Sequence, residues 1–165
     1  MTTAADRPPP AGPTASGAAR RTGRTGWALR AVVTAHTIAA FGQPVFAGVY
    51  LSGDYDGLRW HVAGADTVTS IGYLQIAAAA VVWGRLRLAW PFLATLALVA
   101  AETVQYLVGM TGALWAHFPL GVATIAGLVV MFVGVWCRPL DRRARPSRAR
   151  ARASADAGRR EAGDA

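Results

Sequence analysis

Three histidines, His36, His61 and His117, and a solitary glutamate, Glu102, interrupt the long apolar stretch at the centre of this 165-residue sequence. Gln43, Gln75 and Gln105 are the amides of the same stretch. Imidazole and carboxyl groups bind metals and hold or pass protons near neutral pH, and amides orient both by hydrogen bonding. Other chemistries are missing. Cys137 is the one cysteine, which excludes a cysteine metal cluster and a disulfide framework. No phosphate-binding loop, dinucleotide fingerprint, zinc-protease helix or nucleophile elbow is present. The pair of acids in Asp54-Tyr55-Asp56, near His61, is at best a weak divalent-cation loop, because a solvated turn carrying two acids is the usual case.

Charge is segregated along the chain. Residues 1–26 carry four Arg and one Asp, and residues 138–165 carry nine Arg and four acids, giving +3 and +5 of the net +8. Between them Arg30, Arg59, Arg85 and Arg87 balance Asp54, Asp56, Asp66 and Glu102. A neutral block between basic tails, with 53% hydrophobic residues overall, is not the pattern of a water-soluble enzyme. The tails, rich in Pro, Gly, Ala and Arg, lack the apolar surface that would repay ordering, so disorder is expected for 1–26 and 138–165.

The block itself, 27–137, divides into four apolar runs: Trp27 to Leu51, Val62 to Val82, Leu88 to Val108 and Ala113 to Trp136. Each is long enough for a helix that crosses about 30 Å of hydrocarbon. Runs such as Ala77 to Val82 have no period of two, which excludes a barrel. The first run is too long for a signal-peptide core. The expected fold is therefore all-α: a polytopic, up-down bundle of four transmembrane helices with short connections. Arg concentrates in the tails and in Arg85-Leu86-Arg87, which places both termini in the cytoplasm and the protein in the inner (plasma) membrane. Six tryptophans, at 27, 60, 83, 90, 115 and 136, fall near the helix ends as interfacial belts.

Helical spacing then positions the polar residues. His36, Gln43 and Tyr50 share one stripe. So do His61, Ala65, Gly72 and Gln75; Glu102, Gln105, Tyr106 and Gly109; and His117, Gly121, Thr124 and Leu128. At about 1.5 Å per residue, His61 lies at the mouth of the second helix and His117 about 6 Å inside the fourth. Those two are nearly level. His36 lies far below them. Two level histidines on alternate helices of a bundle can hold a flat macrocycle by both axial positions. Gly64, Ala65, Gly121 and Ala123 would leave room beside the rings, with Gln43, Gln105, Glu102 or Asp66 as hydrogen-bonding support. Glu102 and His36 form a separate candidate proton or partner site, since a carboxyl in hydrocarbon must be protonated, paired or wet.

The stretch Phe41 to Gly53, the following Trp60-His61, and Gln105 to Gly109 leading into His117-Phe118-Pro119-Leu120-Gly121 resemble small four-helix integral membrane proteins of actinobacteria. More distantly, the third-helix Gln, the Gly shortly after it and the His near the start of helix four are similar to one four-helix half of haem A synthase. That likeness implies His61 and His117 as axial positions for a b-type haem. It does not imply oxygenation chemistry, because Leu58-Arg59-Trp60 precede His61 where the family carries a catalytic Glu. The leading expectation is a haem-binding or electron-transfer subunit, with a quinone or a membrane protein as redox neighbour. The alternatives are a non-enzymatic scaffold or accessory subunit, alone or as a homo-oligomer, and a proton-linked transporter using Glu102 and His36. Anionic lipid is the expected partner of the Arg-rich tails, and nucleic acid is not.

Overall fold

The computed structural model describes residues 22–140, and the readings made for 1–21 and 141–165 lie outside the described residues. Four helices follow one another: α1 (Arg24–Leu51), α2 (Asp56–Leu86), α3 (Trp90–Met110) and α4 (Leu114–Cys137). All four are long and apolar enough to cross a membrane, and no strand occurs among the described residues. Each helix packs on its neighbours in sequence and α4 closes on α1, leaving α1/α3 and α2/α4 as the diagonals of a square. The connections after α1 and α3 share one end of the bundle, and they turn through Gly53 and Gly112, both with positive φ. Only glycine takes that backbone without strain.

The outward face shows which solvent the bundle is built for. Trp115 is 83% exposed, Val130 72%, Met110 71% and Val122 70%. Meanwhile His36, Gln75, Thr95, Thr124 and Glu102 are buried. Large apolar side chains outside and polar ones inside is the distribution that hydrocarbon favours, because a polar group facing lipid has no hydrogen-bonding partner.

Two helix starts differ from the sequence reading by three residues or more. Helix α2 begins at Asp56 rather than Val62, because Asp54 Oδ1 accepts the Asp56 N–H at 3.0 Å and Asp56 places negative charge in the first turn. His61 therefore stands in the second turn of α2 and not at its mouth. Helix α1 begins at Arg24, within the segment expected to be a disordered tail. Beyond α4, Leu140 is 1% exposed and packs over Gly26, so the order of the bundle also continues past residue 137.

The apolar core lies toward the end that carries the termini: Leu29, Val33, Ala79, Val82, Met131, Val135 and Leu140. Arg30 locks that end. Its Nε donates to the Val135 carbonyl at 2.9 Å, and one terminal nitrogen reaches the carbonyls of Trp136 and Arg138 at 3.5 and 3.4 Å. The guanidinium also lies 5.2 Å from the rings of both Trp27 and Trp136. The last carbonyls of a helix have no intrahelical donor, so α1 supplies a cationic cap to α4. At the other end α1 and α2 meet backbone to backbone: a Cβ at Gly57 would collide with the Tyr50 amide and come within 2.9 Å of the Phe46 carbonyl.

Replacing Arg30 with Ala removes hydrogen bonds from a charged donor and should destabilise the detergent-solubilised protein by about 2 to 3 kcal/mol. Leu140→Ala should cost about 2 to 3 kcal/mol through the cavity it leaves. Both are measured as shifts in denaturant-induced unfolding, and an unchanged midpoint for Arg30→Ala would remove the cap from the account.

Candidate functional site

The polar residues of the four stripes meet on the bundle axis at two depths. Nearer the loops, His61 of α2 and His117 of α4 face each other across one diagonal. Their ring centroids are 6.0 Å apart and the ring planes are inclined at 77°. Each ring is fixed in the same way. His61 Nδ1 lies 3.1 Å from the backbone carbonyl of Gln43 on α1, and His117 Nδ1 lies 3.0 Å from the backbone carbonyl of Gln105 on α3. A carbonyl only accepts, so both Nδ1 atoms carry the hydrogen and, in the neutral ring, both Nε2 atoms keep a free lone pair. A second lone pair on each carbonyl oxygen allows this bond beside the one within the helix.

The two halves of the site repeat one device. The side chain of Gln43 lies over Gly64, three residues after His61, and a Cβ there would collide with the Gln43 amide. The side chain of Gln105 lies over Gly121, four residues after His117, where a Cβ would be 2.8 Å from Nε2. Thus α1 relates to α2 as α3 relates to α4: a glutamine presents its carbonyl to a histidine and its side chain to the glycine one turn further on. Gly109 completes the second half, since a Cβ there would be 2.8 Å from the His117 ring.

Several expectations change in this geometry. Gly64 and Gly121 make room for the glutamines, not directly for the imidazoles. Gln43 and Gln105 orient the rings through their main chain rather than their side chains. Ala65, on the half-buried face one turn after His61, adds only a methyl, and Ala123 is exposed on the outer surface of α4. Asp66 does not orient His61; it is exposed and accepts the Tyr106 hydroxyl at 3.3 Å. The loop acids do not gather around His61 either, because Asp54 binds the Asp56 N–H and the Asp56 carboxylate is 3.9 Å from Arg59.

Deeper in the bundle, His36 of α1 and Glu102 of α3 meet across the other diagonal, with Nε2 and Oε1 3.1 Å apart. His36 Nδ1 is 3.0 Å from Gln75 Oε1, and Gln75 Nε2 donates to Thr95 Oγ1 at 3.1 Å. Sequence spacing placed His36, Gln75 and Glu102 on inward stripes. Spacing gives no signal for Thr95, since a threonine in an apolar helix commonly bonds its own backbone, as Thr37, Thr103 and Thr124 do here.

No family model, curated protein or solved structure matches the chain. The chemistry of the site therefore stands on its own geometry. Among the described residues no group of three or more His, Cys, Asp or Glu side chains converges as a metal site. The α2/α4 diagonal brings two imidazoles together, those of His61 and His117.

The tautomers follow directly. Nitrogen NMR of ¹⁵N-histidine-labelled protein should show His61 and His117 as Nδ1-protonated rings, and Gly109→Ala should shift the His117 signals while leaving those of His61 in place. Nε2-protonated rings would overturn the carbonyl anchoring.

Proposed function

We propose that the chain is a multi-pass subunit of the plasma membrane that binds one b-type haem between His61 and His117 and passes electrons through it. The observation that carries this reading is the histidine pair: two rings on diagonal helices, each fixed through Nδ1 by a backbone carbonyl, with 6.0 Å between centroids. Two metal–imidazole bonds of about 2 Å, with the half-width of each ring added, span about 6 Å. Nδ1–H donation to a carbonyl is also the support that a metal-bound imidazole ordinarily has, because it fixes the tautomer and raises the basicity of the ligating nitrogen.

Ligand number selects the kind of metal. A bare divalent ion needs four or more donors, and the diagonal supplies two. An iron already held in the plane of a macrocycle needs just the two axial ones. Two features of the surroundings favour such a group. Gly109 keeps side-chain bulk away from the His117 ring, and the buried amide of Gln43 has no partner for either its nitrogen or its oxygen, leaving it available to a polar substituent. When bound, the haem would supply reversible one-electron transfer. His61 and His117 would hold it through Nε2, each ring oriented by the backbone carbonyl at its Nδ1. A membrane quinol or a redox protein is the proposed electron partner.

Arginine distribution supports cytoplasmic termini. Arg24, Arg30, Arg85, Arg87 and Arg138 lie toward the end of the bundle where the chain enters and leaves, against Arg59 alone at the opposite end among the described residues. Anionic headgroups at the cytoplasmic surface are the matching lipid partner.

Protein purified in detergent from haem-supplied cells should show a Soret band with the low-spin spectrum of two imidazole ligands. His61→Ala or His117→Ala should each abolish that spectrum, whereas His36→Gln should retain it. A colourless wild-type preparation would overturn the haem reading and favour a scaffold. Orientation has its own check: Cys137 is exposed at the end that carries the termini. A membrane-impermeant maleimide should label it only after cells are permeabilised, and labelling of intact cells would reverse the topology.

A further inference from the structure

The His36–Glu102 contact has no role in holding the histidine pair, yet it is the most enclosed ionisable cluster among the described residues. His36 is fully buried and Glu102 is 7% exposed. Their 3.1 Å approach lacks the alignment of a formed hydrogen bond, and His36 Nε2, Glu102 Oε1 and Glu102 Oε2 have no other partner. Gly72 lies against both side chains: a Cβ there would be 3.2 Å from Glu102 Oε2 and 3.4 Å from His36 Cε1.

The hydrogen-bond directions fix most of the proton inventory. Gln75 Nε2 donates to Thr95, so Gln75 Oε1 is an acceptor and His36 Nδ1 carries a hydrogen. What varies is the proton content between Nε2 and the carboxyl. With none, a carboxylate faces a nitrogen lone pair, two acceptors with no hydrogen between them. With one, shared as either Nε2–H⁺ and carboxylate or Nε2 and carboxylic acid, the pair is neutral. With two, it carries a single positive charge.

We propose that His36 and Glu102 form a proton-binding site that holds one proton when the His61–His117 centre is oxidised and takes up a second as that centre is reduced. The inference rests on the haem reading above. Glu102 precedes Gln105 by three residues on α3, and His36 precedes Gln43 by seven on α1, so the pair lies about 5 to 10 Å along the axis from the carbonyls that fix the ligand histidines. Across such a separation in a low-dielectric interior, a unit of charge on one group is felt at the other. The electron comes from a membrane quinol or, in the experiment, from an electrode, and the proton comes from water, so reduction and protonation together leave the interior charge unchanged.

Few other groups can answer to that charge. Arg30 on α1 is tied to carbonyls of α4 and its C-terminal turn, toward the opposite end of the bundle. From α2 come Gly72, Gln75 and, further along, Asp66, which is exposed and bonded to Tyr106 of α3. Besides Glu102, α3 contributes Thr95 and Val99, and α4 contributes Thr124, which donates to the Leu120 carbonyl, and Leu128. His117 is held at the other depth by Gln105.

The test uses full-length, haem-loaded protein in detergent, with the midpoint potential followed by spectroelectrochemistry across pH and a redox-difference infrared spectrum taken on the same sample. In wild type the potential should fall as pH rises. The infrared difference should contain a carboxylic-acid carbonyl band. Glu102→Gln should remove both the pH dependence and the band while leaving the Soret spectrum in place. His36→Gln should flatten the potential in the same way, and Asp66→Asn should leave it sloping. A pH-independent wild-type potential, or an unchanged slope in Glu102→Gln, with the two-imidazole spectrum intact, overturns the proton coupling and leaves the haem reading standing. Absence of a Soret band fails the haem reading itself and takes the coupling with it.

Discussion

Inside this bundle a polar side chain can be satisfied only by another part of the same bundle. Hydrocarbon on the outside offers no donors or acceptors, so a histidine or glutamate placed on an inward stripe must find its partner on a neighbouring helix or remain unpartnered. The consequence is visible in where the hydrogen bonds run. His61 binds α1, His117 binds α3, His36 binds α2, and Gln75 binds α3. Apolar packing is confined largely to the end that carries the termini, and the polar contacts fix the registration of the helices toward the loops.

That constraint produces two crossed diagonals. The α2/α4 diagonal carries imidazoles whose Nδ1 positions are used and whose Nε2 positions are not. The α1/α3 diagonal carries an imidazole and a carboxyl in contact. The first leaves two imidazole nitrogens without a hydrogen, and the second brings two ionisable groups together in the interior. They share supports, because Gln43 and Gln105 follow His36 and Glu102 along the same helices. Movement of α1 or α3 would be felt at both depths.

Glycine decides where these contacts can form. Gly64, Gly109 and Gly121 each lie against a glutamine or histidine side chain closely enough that a methyl group would intrude. Gly57 does the same for the α1 backbone. In a membrane bundle small residues commonly let helices approach. Here three of them instead admit polar side chains from the neighbouring helix, which is how a site with cross-helix hydrogen bonds fits in a bundle of only four helices.

The number of helices, their order and the inward stripes of His36, Gln43, His61, Gln75, Glu102, Gln105 and His117 were determined by the sequence alone, because bilayer thickness sets a minimum run length and 3.6 residues per turn sets the faces. Helix starts at Arg24 and Asp56 escaped that reasoning, since the first depends on Leu140 packing over Gly26 and the second on a local bond from Asp54. Tertiary structure decided the partners. Spacing shows that a glutamine faces inward but not whether its amide or its backbone carbonyl meets the histidine, nor that Glu102 reaches His36 rather than His61 or His117. Those outcomes depend on the relative depth and rotation of helices far apart in the chain, which no single segment encodes.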